Sequence, residues 1–134
     1  MAPVVLDTDV ASLLHRRKLT GQLATRLIGC EPLITFVTFG ELAKWAEMRN
    51  WGEGRRGELS TWLAGIAVIP GDEAVAATWG SMSAASVRRG RPRPVNDMWI
   101  AACCLSHDLP LATLNLKDYE DFRQHHDLRI IGTD

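Results

Sequence analysis

Short apolar runs alternate with longer stretches of helical periodicity along the whole chain. Val4 to Leu6 has the pattern of a short buried strand. Thr8 or Asp9 can cap a helix through Leu14, and a second helical stretch covers about Leu19 to Ile28, closed by Gly29. Leu33 to Val37 is the second strand. Thr38 to about Arg49 follows as a helix with Leu42, Trp45 and Ala46 on one face. Gly52, Gly54 and Gly57 loosen the next segment, ahead of Leu59, Trp62 and Leu63. Ile66 to Ile69 is a third short strand, stopped by Pro70, and Asp72 to Val87 is an Ala-rich helix. Asn96 to Ser106 is another helix, Leu109 to Thr113 a fourth strand, Asp118 to Gln124 a short helix and Leu128 to Ile131 a last strand. Regular alternation of strand and helix predicts a parallel sheet covered on both faces. The expected architecture is a three-layer α/β/α sandwich with a mainly parallel central sheet, one domain spanning 1–134.

That frame gives meaning to four acidic residues. Asp7 follows the first strand, Glu41 the second and Asp118 the fourth, while Asp97 opens an apolar helix. In a parallel α/β fold such positions gather at one sheet edge, where ligands bind. Four carboxylates at one edge repel unless a cation sits between them. Oxygen donors without Cys or paired His suit a hard ion, Mg²⁺ or Mn²⁺. The pattern points to metal-dependent chemistry on a phosphate ester.

Each acid also has a local explanation. Asp9 suits a helix cap, whereas Asp7 sits at the strand's end, where capping normally falls to the residues after it. Thr38-Phe39-Gly40-Glu41 matches a capping box, which alone would account for Glu41. Asn96 can cap the helix that Asp97 opens, and the helix dipole stabilises a first-turn carboxylate by ~0.3–1 kcal/mol. Thr113 and Asn115 are turn formers suited to a tight β-to-α loop. The joint placement of the acids is the stronger signal.

Composition narrows the partners. The chain has 134 residues, 46% hydrophobic and 23% charged, which excludes a disordered, collagen-like or coiled-coil class. A net charge of −1 gives no global pull toward nucleic acid, so contact with RNA needs a local basic patch. Arg88, Arg89, Arg91 and Arg93 form such a run, held in a loop by Pro92 and Pro94, just before Asp97. His15-Arg16-Arg17-Lys18 is a second basic cluster, near Asp7 in the chain. His15, His107, His125 and His126 lack metal-ligand spacing. Trp45, Trp51, Trp62, Trp79 and Trp99 could stack on bases, but their spacing fits helix faces in a core. Cys30, Cys103 and Cys104 make no disulfide framework, and the adjacent pair suits a buried helix. With no signal peptide and no apolar run of about 18 residues, a soluble cytoplasmic protein without a membrane role is expected.

The chain resembles PIN-domain ribonucleases of the VapC toxin type. The resemblance rests on Val5-Leu6-Asp7-Thr8-Asp9, on Thr38-x-x-Glu41-Leu42, on Pro94-Val95-Asn96-Asp97-Met98-Trp99-Ile100-Ala101-Ala102, and on Leu111-Ala112-Thr113-Leu114-Asn115-Leu116-Lys117-Asp118-Tyr119. It covers essentially the whole chain, and the last two blocks are its most specific part. It implies metal ligation by Asp7, Glu41, Asp97 and Asp118, with Thr113 and Asn115 as polar support. It also implies a homodimer, a cognate VapB-like antitoxin that blocks the site, and RNA products with 5′-phosphate and 3′-hydroxyl ends. Two positions depart from the pattern. Asn115 stands where some relatives carry an acid, which takes a ligand from any second ion. Tyr119 stands where Phe is common, a change expected to matter little.

The reading favoured is therefore a Mg²⁺- or Mn²⁺-dependent endoribonuclease, the toxin of a VapBC-type module. One rival is a small phosphohydrolase of the haloacid-dehalogenase type, with Asp7 as nucleophile, Asp9 as acid/base and Lys117 as phosphate clamp. Ala11, the short chain and an idle Glu41 weigh against it. The other is a PIN-like module that only binds RNA or protein, which the cost of keeping unpaired clustered carboxylates disfavours.

Overall fold

The computed structural model describes residues 1–132 of the chain. Five strands among these residues form one sheet: β1 (Ala2–Leu6), β2 (Cys30–Thr35), β3 (Ala67–Ile69), β4 (Leu111–Ala112) and β5 (Ile130–Ile131). Their order is β3-β2-β1-β4-β5, and every neighbouring pair is parallel. The mainly parallel sheet expected from the sequence is thus parallel throughout the described residues. Among the described residues seven helices connect the strands: α1 (Thr8–His15), α2 (Gly21–Arg26), α3 (Phe36–Met48), α4 (Glu53–Ala64), α5 (Glu73–Arg88), α6 (Val95–Ser106) and α7 (Leu116–His126). None is long and apolar enough to cross a membrane.

The two sheet faces carry separate cores, because side chains alternate along a strand. Val4 and Leu6 join Val10, Leu23, Ile34, Leu42, Leu59 and Ala112 on one side, with residues of α1 to α4. Val5 points the other way, to Leu111 of β4 and to Val75, Met82, Ile100 and Phe122 of α5 to α7. Runs that are apolar at every position, such as Val4-Val5-Leu6, are what a strand buried on both faces requires. Cys103 and Cys104 lie fully buried in α6 and are free thiols, as their adjacency predicts.

Several local expectations are corrected. The second strand ends at Thr35, and α3 begins at Phe36, not Thr38. Thr35 is the N-cap, its side chain accepting from the Thr38 amide at 3.2 Å. The Thr38-x-x-Glu41 capping box therefore does not form. Asp7, not Thr8 or Asp9, caps α1. Pro94, not Asn96, precedes α6, so Asp97 lies in the first turn without a side-chain cap before it. Gly54 and Gly57 fail to break α4, which runs unbroken over 12 residues and buries Leu59. The second helix is shorter than expected, but Gly29 does follow it, at φ +80°, a left-handed conformation that glycine adopts at no steric cost.

Chain order and strand order together create the site. From β1 the chain winds outward through β2 and β3, then returns to the other side of β1 with β4 and β5. The crevice at such a reversal, outside the carboxyl ends of the strands, lies between β1 and β4.

Phe122, 1% exposed, fills the core beneath α7 and lies beside the Tyr119 ring. Phe122→Ala is expected to cost about 3–5 kcal/mol. Urea unfolding checks this; a loss below about 1 kcal/mol would show that α7 is not anchored through this ring.

Candidate active site

Asp7 leaves the end of β1 into that crevice. Its Oδ1 accepts from the Val10 amide at 2.9 Å, capping α1, and its Oδ2 accepts from the Thr113 hydroxyl at 2.6 Å. Thr113 sits just past β4 and in turn accepts from the Asn115 amide at 2.9 Å. One carboxylate thus ties β1, α1 and the β4–α7 loop together. Glu41 arrives from α3, Asp97 from the first turn of α6 and Asp118 from the first turn of α7. All four acids line one small cleft of about 100 Å³, shared with Thr8, Asp9, Trp45, Ile100, Asn115 and Tyr119. The sequence-predicted set is brought together, Asn115 included. Thr113 supports the floor through Asp7.

The electrostatics follow from burial and like charge. Burial pushes the Asp7 carboxyl up to about 6, overcoming the hydrogen bonds from Thr113 and Val10, with Asp9 and Asp97 adding to the rise. Asp97 is also raised, first by burial, then by Asp118 and Glu41; Tyr119 and Arg93 pull it back. Burial, followed by the charges of Asp7 and Asp97, lifts the Tyr119 phenol far above its ordinary value, so it stays protonated. Two carboxylates held back from ionising, in a cleft shared with further acids, mark a place for a cation. Among the described residues, no three acidic, His or Cys side chains converge tightly enough to ligate an ion as they stand. The donor set itself, all charged oxygen, fits a hard divalent ion.

Four lining residues do more than their sequence context indicates. Asp9, in sequence a candidate cap or the acid/base of the dehalogenase-type rival, accepts from the Asn115 side-chain Nδ2 at 2.9 Å. Thr8 donates to Glu41 at 2.7 Å. Trp45, grouped by periodicity with the core face, borders the cleft. Tyr119, at a position where Phe is expected to serve equally, places its hydroxyl 3.5 Å from Asp97 Oδ1. The available signal for Thr8 and Tyr119 is adjacency to Asp7 and Asp118.

The basic clusters divide. Arg89 is committed to Asp121 at 2.9 Å and so is not free for a ligand phosphate. Arg93 is half-buried and near enough to act on Asp97. Arg88 and Arg91 are exposed. Arg16, Arg17 and Lys18 lie past the far end of α1, about 12 Å from Asp7 at 1.5 Å per residue. Arg16 and Arg17 instead line a separate cavity of about 670 Å³ with His15, Glu58 and Trp62. Nearness in the chain to Asp7 does not make that cluster part of the acidic cleft. Lys117 is exposed and outside the cleft lining, which removes the phosphate clamp of the dehalogenase-type rival.

With this geometry in place, the kinship of the chain is plain. The PIN domain model matches residues 4–124, and the chain belongs to the PIN-domain family. Within that family its relatives are of the VapC type. Ribonuclease VapC1 of Haemophilus influenzae (strain R2866) is 30% identical over 121 residues, covering 87% of this chain and 89% of that protein. A chain of VapBC-5 from Mycobacterium tuberculosis, a member of the VapBC family of toxin–antitoxin systems, shares 27% identity and superposes with a TM-score of 0.74, covering 98% of this chain and 99% of its own. A chain of VapBC2 from Rickettsia felis, solved bound to a promoter DNA fragment, shares the fold with a TM-score of 0.81 at 16% identity, over 98% and 99% of the two chains.

The Asp7 environment fixes a pH dependence. In the folded, metal-free protein Asp7 holds its proton up to about pH 6, against an ordinary value of 3.8. Between these values the folded state binds more protons than the unfolded chain, so stability falls as pH rises through the window. The loss from this group is on the order of 3 kcal/mol. Asp7→Asn should remove much of this slope, since Asn also caps helices. Urea unfolding of the metal-free proteins from pH 4 to 7 checks this; stability of the parent rising across that range would refute it.

Proposed function

We propose that this chain is the endoribonuclease toxin of a VapBC-type module, cutting RNA with Mg²⁺ or Mn²⁺, and that the whole chain works as one PIN domain. The observation that carries the reading is the convergence of Asp7, Glu41, Asp97 and Asp118 on one cleft at the sheet's switch point in a PIN-family chain. VapC1 of H. influenzae, its relative at 30% identity, is a ribonuclease by name.

In this reading Asp7 and Asp97 would hold the ion most directly, and Glu41 and Asp118 would complete the acidic pocket. When bound, such an ion supplies Lewis-acid polarisation of a phosphodiester and a lowered pKa for water. Thr113 keeps Asp7 aimed, with both carboxylate oxygens hydrogen-bonded in a buried setting. Asn115 steadies Asp9 at the rim. Arg91 and Arg93 serve the RNA backbone, whose phosphates suit guanidinium forks. Water attacks the phosphate in line, leaving a 5′-phosphate and a 3′-hydroxyl. The protein acts in the cytoplasm as a homodimer. A VapB-like antitoxin restrains it by placing an Arg or Lys against Asp7, Glu41 and Asp97, because a guanidinium supplies both the missing charge and paired hydrogen bonds. The crystal structures similar to this chain, from R. felis and M. tuberculosis, are of VapBC systems.

Asp7→Asn and Asp97→Asn should each lower RNA cleavage by about 10²-fold or more and weaken Mn²⁺ binding, with the fold retained. Glu41→Gln should also lose activity, since Glu41 caps nothing. Full activity in either Asp variant would remove the proposed centre. Mapping 5′ and 3′ ends in total RNA after induced expression identifies the substrate, and antitoxin inhibition should weaken as Mn²⁺ is raised.

The Arg assignment has its own test. Arg91→Ala with Arg93→Ala should reduce the salt slope of RNA binding by about 1 for each phosphate that is no longer neutralised. Arg89→Ala should cost stability instead, by leaving Asp121 only the longer contact with His125 at 3.8 Å. An unchanged slope in the double variant would leave the loop a solvated connector.

A further inference from the structure

We infer that Thr8 is a positioning residue for Glu41, set in turn by Thr38 through a directed relay of two hydroxyls; this rests on the metal-site reading above. Both contacts are short; the one to Thr38 is buried and the one to Glu41 partly so. Thr8 Oγ1 donates to Glu41 Oε1 at 2.7 Å and meets Thr38 Oγ1 at 2.9 Å. Thr8 is 7% exposed and Thr38 fully buried. Direction follows from proton count. A carboxylate oxygen accepts, so the single hydroxyl proton of Thr8 goes to Glu41. The Thr8–Thr38 contact then exists only with the Thr38 hydroxyl donating to Thr8. The chain runs Thr38 to Thr8 to Glu41.

Placement explains why the relay is useful. Glu41 stands on α3 three residues beyond Thr38, so both face α1. Thr8 is the first residue of α1, directly after Asp7. A long acidic side chain from one helix is thereby pinned to the helix that Asp7 caps. Without the Thr8 hydroxyl, Glu41 would sample rotamers away from Asp7, and its neighbouring charges would favour that. The third buried threonine, Thr35, fixes the start of α3 by capping the Thr38 amide, which sets the azimuth of Thr38 and Glu41 together. The role is one of orientation, outside direct contact with the reacting phosphate.

The test compares Thr8→Val, Thr8→Ser and Thr38→Val. The readouts are Mn²⁺ affinity of the metal-free protein by calorimetry, thermal unfolding, and the split of kcat and KM on purified total RNA. Thr8→Val is expected to weaken Mn²⁺ binding about 10-fold or more and to lower kcat more than it raises KM. Thr8→Ser keeps the donor and should restore affinity to within about twofold, with Thr38→Val intermediate. In a Glu41→Gln background, Thr8→Val should add no further loss, because its effect runs through Glu41. Parent-like Mn²⁺ affinity in Thr8→Val beside a weakened Glu41→Gln overturns the relay alone. Additive losses in the cycle overturn it too. If Thr8→Val does not fold, the cycle of Thr38→Val with Glu41→Gln decides by the same criterion. Parent-like Mn²⁺ binding and cleavage in Glu41→Gln overturn Glu41 as a metal-site residue, and the relay with it.

Discussion

One buried carboxylate, Asp7, joins the elements on which the rest of this molecule depends. It is 4% exposed, and both its oxygens are engaged, one by the amide that starts α1 and one by Thr113 beyond β4. Because β1 and β4 flank the sheet's switch point, that pair of bonds closes the crevice floor. It also brings Asn115, in the β4–α7 loop, and Asp118, in the first turn of α7, alongside α1. Capping, strand-to-loop bracing and site formation are the same three atoms seen from different elements. A neutral cap such as Ser would satisfy α1 equally well, so a charge buried here at the expense of its own ionisation has its rationale in the cleft.

The cleft stores electrostatic strain of a kind characteristic of functional sites. Asp7 and Asp97 are both held above their ordinary values, chiefly by burial and then by neighbouring carboxylates. The rest of the fold offsets that strain. Two separate cores, one on each face of the sheet, anchor the elements from which the acids project. Donors surround the anions: Thr8 on Glu41, Thr113 on Asp7, Asn115 on Asp9 and the Tyr119 hydroxyl near Asp97. Each removes a fraction of the repulsion while leaving the negative potential that attracts a cation.

A displacement of two residues in one helix start changes the meaning of Glu41. With α3 beginning at Thr38, Glu41 would turn back to cap its own helix. With α3 beginning at Phe36, Thr35 takes the cap, Thr38 moves inside the helix and Glu41 is released to face α1. Sequence does not separate the two starts, because Thr35 and Thr38 are equally good caps, and apolar Phe36 and Val37 extend a strand as readily as they open a helix. The basic loop shows the same limit. Four arginines in six residues look like one patch, but Asp121, on another helix, claims Arg89.

The sequence by itself determined the strand–helix alternation, the parallel sheet, the burial of Cys103 and Cys104, and the four acids that meet. Those features depend on periodicity within a few residues and on a topological rule that sends strand ends to one edge. Only the tertiary structure decided which residue caps which helix, that Asp9, Trp45 and Tyr119 border the cleft, and that Arg16 and Arg17 belong to a different cavity. The bonds responsible join residues 30, 33 and 106 positions apart, Thr8 with Thr38, Thr8 with Glu41, and Asp7 with Thr113. Local patterns are written in neighbouring side chains. A hydrogen bond across such separations depends on where two independently formed elements come to rest, and that is settled by packing.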